Sequence, residues 1–290
     1  MKRAIAWLLA WMVLPALAHV PAVTPQSRGG VALVACLVAS AVLLYAFGLT
    51  RLWTHARERR ALIWRSVSFG AGCAALTLLL LGPLDEAAPR SFAVHMLQHE
   101  GLMLIAAPLL VMGRPMPLFL WALPHDLRLP VGRVLQSGGL KLGWHWLTAP
   151  LTAWVAHALA LWLWHVPALF NAALRDPALH EWQHVTFLSS ALLFWHAVMR
   201  RGTHGAQGMA LLYLFTTTIH SGVLGALLTF ARQPLYASME RGLTPWLGLT
   251  ALEDQQLGGL IMWVPGALVY VGAGLWLLSR WVGPEHSLAR

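Results

Sequence analysis

The chain is poor in charge and nearly without cysteine. Asp, Glu, Lys and Arg make up only 11% of its 290 residues, against roughly 25% in soluble domains. Hydrophobic residues reach 58%, and the mean hydropathy is +0.62. The two cysteines, Cys36 and Cys73, cannot supply a disulfide framework. Both lie in apolar stretches, where a small buried hydrophobe is the commoner role and a thiol pair relaying copper(I) the alternative. The sequence holds no internal repeat, low-complexity tract, phosphate-cradling glycine loop or Ser/His/Asp arrangement. Nucleic acid is excluded as a partner despite a net charge of +9, because no basic run is interleaved with stacking aromatics on a soluble module. What remains is an all-α integral membrane protein whose first partner is lipid, and its sixteen tryptophans suit a chain rich in lipid interfaces.

Residues 1–18 combine a basic start, a short apolar core and Ala16-Leu17-Ala18, the A-x-A pattern of a signal-peptidase site. Cleavage there would leave His19 first, where a free amine and an imidazole can chelate copper. Residues 19–290 then form one seven-helix transmembrane domain. Its apolar segments, each of about 20 residues as a bilayer requires, lie near 30–49, 61–81, 94–113, 150–170, 179–199, 208–230 and 258–280. Thirteen basic residues fall on one side: Arg51, Arg57, Arg59, Arg60, Arg65, Arg114, Arg128, Arg133, Lys141, Arg200, Arg201, Arg280 and Arg290. Five fall on the other: Arg28, Arg90, Arg175, Arg232 and Arg241. The first side is therefore cytoplasmic, with the mature N-terminus outside and the C-terminus inside.

Fourteen histidines stand out in so apolar a chain. His95 and His99 form an i, i+4 pair, as do His180 and His184, so each pair shares one helix face. With the topology above, both pairs and His165 fall at the outer ends of their spans. An ionisable group at such a depth needs a pathway, a partner or a metal. Imidazole suits zinc, copper, iron and nickel, whereas thioether narrows the choice toward copper(I). Met96 adjoins the first pair and Met103 lies at i+8 from His95, so copper is favoured over zinc. Thr250 and Glu253 read as a T-x-x-E capping box, which starts the last helix near Ala251 and puts Asp254 and Gln255 in its first turn. Either residue could orient an imidazole, and Glu100 and Glu181 are further supporting groups. Gly258 continues the Asp254 stripe and permits close helix approach. Pro108 and Pro265 fall within spans and should kink them. His157, His196 and His220 are read as interhelical hydrogen-bond partners.

The stretches HMLQHEGLMLIAAPLLVMGRP (95–115), WLWHVPALFNAALRDPALHEWQH (162–184), GALLTFARQPLY (225–236) and EDQQLGGLIMWVPG (253–266) resemble the CtaG family of caa3-type cytochrome c oxidase assembly factors. The resemblance runs from about residue 30 to 282. It implies a seven-span, non-catalytic protein of the bacterial cytoplasmic membrane that aids insertion of copper centres, with oxidase subunits or other copper chaperones as partners. His95, Met96 and His99 match the family's H-M-x-x-H, and His165, His180, His184, Asp254 and Gln255 match its other polar signatures. Gln183 stands where the family often has Glu, and Ala237 follows Tyr236 where it often has Pro. Three other classes remain open on the residues alone: a membrane b-type cytochrome, an intramembrane zinc hydrolase and a copper importer.

Overall fold

The computed structural model describes residues 25–199, 204–236 and 248–282, and among them the regular structure is entirely helical. The leader expected at 1–18, with His19, lies outside the described residues, as do Arg200, Arg201, Arg241, His286 and Arg290. Among the described residues, five helices are long and apolar enough to cross a membrane, which makes this a multi-pass membrane protein. They are α1 (Pro25–Leu52), α2 (Arg59–Leu81), α3 (Phe92–Gly113), α10 (His204–Thr229) and α11 (Ala251–Val282). A sixth span arises only if α6 (Gly138–Leu147) and α7 (Pro150–Trp164) are taken together as one broken element.

Two of the seven expected spans are not among these five. The segment at 150–170 is no continuous helix: α7 ends at Trp164, and α8 (Pro167–Ala173) starts afresh because Pro167 has no N–H to continue a ladder. The segment at 179–199 is a 23-residue helix, α9 (Pro177–Met199). Its first turns carry His180, Glu181, Gln183 and His184, and these lower its hydropathy below that of a spanning helix. The connection at 114–146, expected as a loop, is also helical: α4 (Pro115–Ala122), α5 (His125–Leu135) and α6.

The chain divides into two compact units, and the division falls inside α3. One comprises residues up to 86 together with 101–147. Here Arg51 donates to the carbonyl oxygens of Ala122 at 2.9 Å and Leu123 at 2.6 Å, setting a cation at the C-terminus of α4. The Tyr45 hydroxyl donates to the Gly113 carbonyl at 3.0 Å, and its ring stacks on Phe69 at 4.0 Å. Cys36 and Cys73 belong to this unit, and both are free thiols. Pro108 lies in the first turn of a helical stretch that follows a π-helical segment, Gly101–Ala106. That wider turn accommodates the missing proline N–H without breaking the helix.

The other unit comprises residues 87–100 and 148 onward, and it carries every paired histidine. Its tightest packing is between α10 and α11. A Cβ at Gly259 would come 2.7 Å from the Gly225 carbonyl oxygen, so only glycine lets these backbones meet. Gly258 does the same against α3, where a Cβ would strike the Phe92 ring at 2.4 Å. Helix α11 starts at Ala251 as the capping box requires. Thr250 donates its N–H and its hydroxyl to Glu253, both at 2.8 Å, and Glu253 N–H returns to the Thr250 hydroxyl at 3.3 Å.

Candidate metal centre

Two helix starts in the second unit aim the paired histidines at one another. Helix α3 begins at Phe92, and Ser91 caps it by accepting from the Val94 N–H at 3.3 Å. Its other free N–H groups go to a carboxylate from α11: Asp254 accepts from Phe92 N–H at 2.6 Å, from Ala93 N–H at 3.2 Å and from the Ser91 hydroxyl at 2.7 Å. An anion at a helix N-terminus satisfies orphan donors and complements the dipole at once. Asp254 thus fixes the register and tilt of the turn that bears His95 and His99. Helix α9 has an equivalent device in Asp176, which accepts from the Ala178 N–H at 2.9 Å, with Pro177 at the first helical position.

The four imidazoles form a compact quartet. Ring centroids lie 4.3 Å apart within each pair, His95 with His99 and His180 with His184. Across the helices, His95 is 5.2 Å from His180 and His99 is 5.2 Å from His184. His95, His99 and His180 each present a ring nitrogen within 4.8 Å of the other two. Phe170 at 5.1 Å from His95 and Phe187 at 4.7 Å from His99 wall the group.

His95 and His99 are buried, His180 and His184 half-buried, and six of their ring nitrogens are buried without hydrogen-bond partners. Both nitrogens of His95, both of His99, and Nε2 of His180 and of His184 find none. The Ala88 carbonyl approaches His95 only outside good hydrogen-bond geometry. Each such orphan costs about 1–3 kcal/mol. Six at one place, all on a common metal-ligating side chain, make a cluster that could hold a metal ion.

The remaining expected residues divide in three ways. His165 and Met96 pair beside the quartet, with His165 Nε2 at 3.4 Å from the Met96 sulfur. Gln255 is turned to architecture, accepting from the Leu235 N–H at 2.7 Å, as Asp254 is turned to the α3 terminus. Met103 falls in the π-helical segment and belongs to the other unit. Glu181 is exposed and Glu100 buried. His157 contacts the Ser190 hydroxyl at 3.4 Å and the Tyr270 hydroxyl at 3.2 Å, the interhelical role expected of it.

Tyr236 is the residue the sequence did not mark for this site. It is buried, its hydroxyl donates to the His165 carbonyl at 3.1 Å, and its ring packs on Phe92 at 4.8 Å and Phe170 at 4.3 Å. Burial raises its phenol pKa above the ordinary tyrosine value, so it stays a neutral donor. Asp176 was equally unmarked, although Asp-Pro ahead of a helical run was a readable start signal.

The sequence profile of the cytochrome c oxidase caa3 assembly factor family, Caa3_CtaG, matches residues 43–283. Uncharacterized proteins of Mycobacterium bovis and Mycobacterium tuberculosis are each 27% identical over 271 residues, which cover 87% of this chain and 40% of theirs. One from Mycobacterium leprae is 26% identical over 247 residues, 78% of this chain and 35% of its own. The chain thus spans about two-fifths of the length of these relatives. No solved structure matches.

Proposed function

The chain belongs to the family of cytochrome c oxidase caa3 assembly factors, and from that membership we propose that it handles copper as cargo rather than catalysing a reaction. In this reading it sits in the bacterial cytoplasmic membrane with the quartet toward the outer face. It receives a copper ion on His95, His99, His180 and His184 and passes it to an oxidase subunit or another copper chaperone.

The observation that carries the reading is the set of six buried, unpartnered imidazole nitrogens held together by two capped helices. A cation accepting one lone pair from each ring offsets part of that cost, which no hydrogen bond among the described residues offsets. The geometry disfavours haem: bis-histidine ligation needs a planar macrocycle between two rings, and neighbouring imidazoles here stand 4.3–5.2 Å apart with phenylalanines against them. Hydrolysis would need a positioned acid or base; of the two carboxylates that could serve, Asp254 and Glu100, the first is engaged with three donors at the α3 terminus.

The test is metal content of the full chain, purified in detergent after growth with added copper, beside a variant carrying both His99→Ala and His184→Ala. Copper should co-purify with the native chain and be lost from the variant. Full retention in the variant removes the quartet from the reading, and zinc in place of copper changes the cargo.

A further inference from the structure

We propose that Met96 and His165 form a second, softer metal position beside the quartet, specific for Cu(I) and open to an incoming ligand. The proposal rests on the copper reading above and adds a place, an oxidation state and a direction of exchange.

The argument starts from one proton. His165 Nδ1 lies 2.5 Å from the Leu161 carbonyl oxygen, an atom that can only accept, so Nδ1 carries the hydrogen. In a neutral imidazole Nε2 is then a bare lone pair. The atom it faces, at 3.4 Å, is the Met96 sulfur, which also has no hydrogen to give. Two lone-pair donors are aimed at each other, both in buried side chains. Ordinary packing does not reward that alignment, whereas a cation between them does.

The spacing suits copper. For bond lengths of about 2.0 Å to nitrogen and about 2.3 Å to sulfur, the 3.4 Å separation subtends about 105° at the ion. That angle belongs to a three- or four-coordinate ion with only two protein ligands in place. It does not fit a closed linear pair. Thioether is a soft ligand, so the position selects Cu(I) over Zn(II) and Cu(II). The remaining coordination is free for a donor from the quartet or from a client.

Both ligands are held in place rather than loosely packed. The Met96 side chain is backed by Gly258, where a Cβ would come 3.2 Å from its Cγ. His165 is fixed at its ring by Leu161 and at its carbonyl by the Tyr236 hydroxyl. Phe187 touches the rings of both His99 and His165, at 4.7 Å and 6.3 Å, so the two positions share a wall. Exchange between them is ligand substitution alone. Bonds from Cu(I) to quartet nitrogens break as bonds to Met96 Sδ and His165 Nε2 form. The Nδ1 proton stays on His165, donated to the Leu161 carbonyl, and copper keeps its oxidation state.

The experiment loads the detergent-purified full chain anaerobically with Cu(I) and, separately, with Zn(II), for the native sequence and for Met96→Leu, a swap that conserves volume. X-ray absorption at the copper edge should show a sulfur shell in the native chain that Met96→Leu lacks, with Zn(II) capacity unchanged. Selenomethionine-labelled native chain, which needs no substitution to fold, should show copper scattering at the selenium edge, and labelled Met96→Leu should not. A nitrogen-only copper shell in the native chain, or a sulfur shell that survives Met96→Leu, overturns this position and leaves the quartet standing. Failure to bind Cu(I) at all overturns both.

Discussion

Removing the Asp254 carboxylate should loosen the quartet without touching it. Asp254 lies on α11, yet all three of its hydrogen bonds go to the start of α3, at 2.6, 2.7 and 3.2 Å. Hydrogen bonds to a charged group contribute about 1.5–3 kcal/mol each, and a carboxylate at a helix N-terminus adds up to about 2 kcal/mol in partly buried geometry. These contributions overlap, so Asp254→Ala should cost about 3–5 kcal/mol, most of it from stranding the Phe92 and Ala93 N–H groups. Asp254→Asn should cost about half as much. Its oxygen can accept from Phe92 while its amide donates to Ser91, which leaves only the longest bond unmade. Dodecyl sulfate titration of the purified chain gives the stability, and copper content gives the consequence. Both should fall in the order native, Asn, Ala. An Asp254→Ala protein within about 1 kcal/mol of native stability and with full copper content would refute the claim that this carboxylate sets the α3 start.

Other consequences follow from the same geometry. His99→Ala should be close to native in stability without metal, because the lost packing is offset by removal of two orphaned nitrogens, and it should lose the stabilisation that copper gives the native chain, about 2.7 kcal/mol at a hundredfold excess over Kd; thermal scans with and without copper read the difference. Tyr236→Phe removes one donor to the His165 carbonyl and should cost about 1 kcal/mol, with weaker Cu(I) retention and unchanged Zn(II) retention in chelator competition. Gly259→Leu should prevent α10 and α11 from closing, seen as loss of monodisperse protein in size-exclusion chromatography, whereas Gly272→Ala, with nothing within 4 Å of its Cβ, should behave as native. Asp176→Ala should cost about 1 kcal/mol as a lost N-cap, read in the same dodecyl sulfate titration.

How much of this was legible depended on how local the cause was. The i, i+4 histidine pairs and the Thr250–Glu253 box are set within a turn or two of chain, and the structure has both. The partner of Asp254 is 162 residues away at Phe92, so its polar character could be read but not its use. The broken span at His165 is signalled by Pro167, but the apolar residues continue past it and mask the break. Helix α9 misled in the opposite direction, since the residues that make it interesting also make it too polar to count as a spanning element by composition.

The rings of the quartet have no carboxylate bonded to the nitrogens that stand orphaned, and this bears on which ion can settle there. Neutral ligands leave an ion's charge uncancelled, and electrostatic self-energy in a poorly polarisable medium grows with the square of that charge, so a dication meets roughly four times the penalty of a monocation. A cage of this composition therefore sorts by valence before it sorts by size. The same want of counter-charge means that nothing coulombic retains the occupant once a better-placed donor arrives.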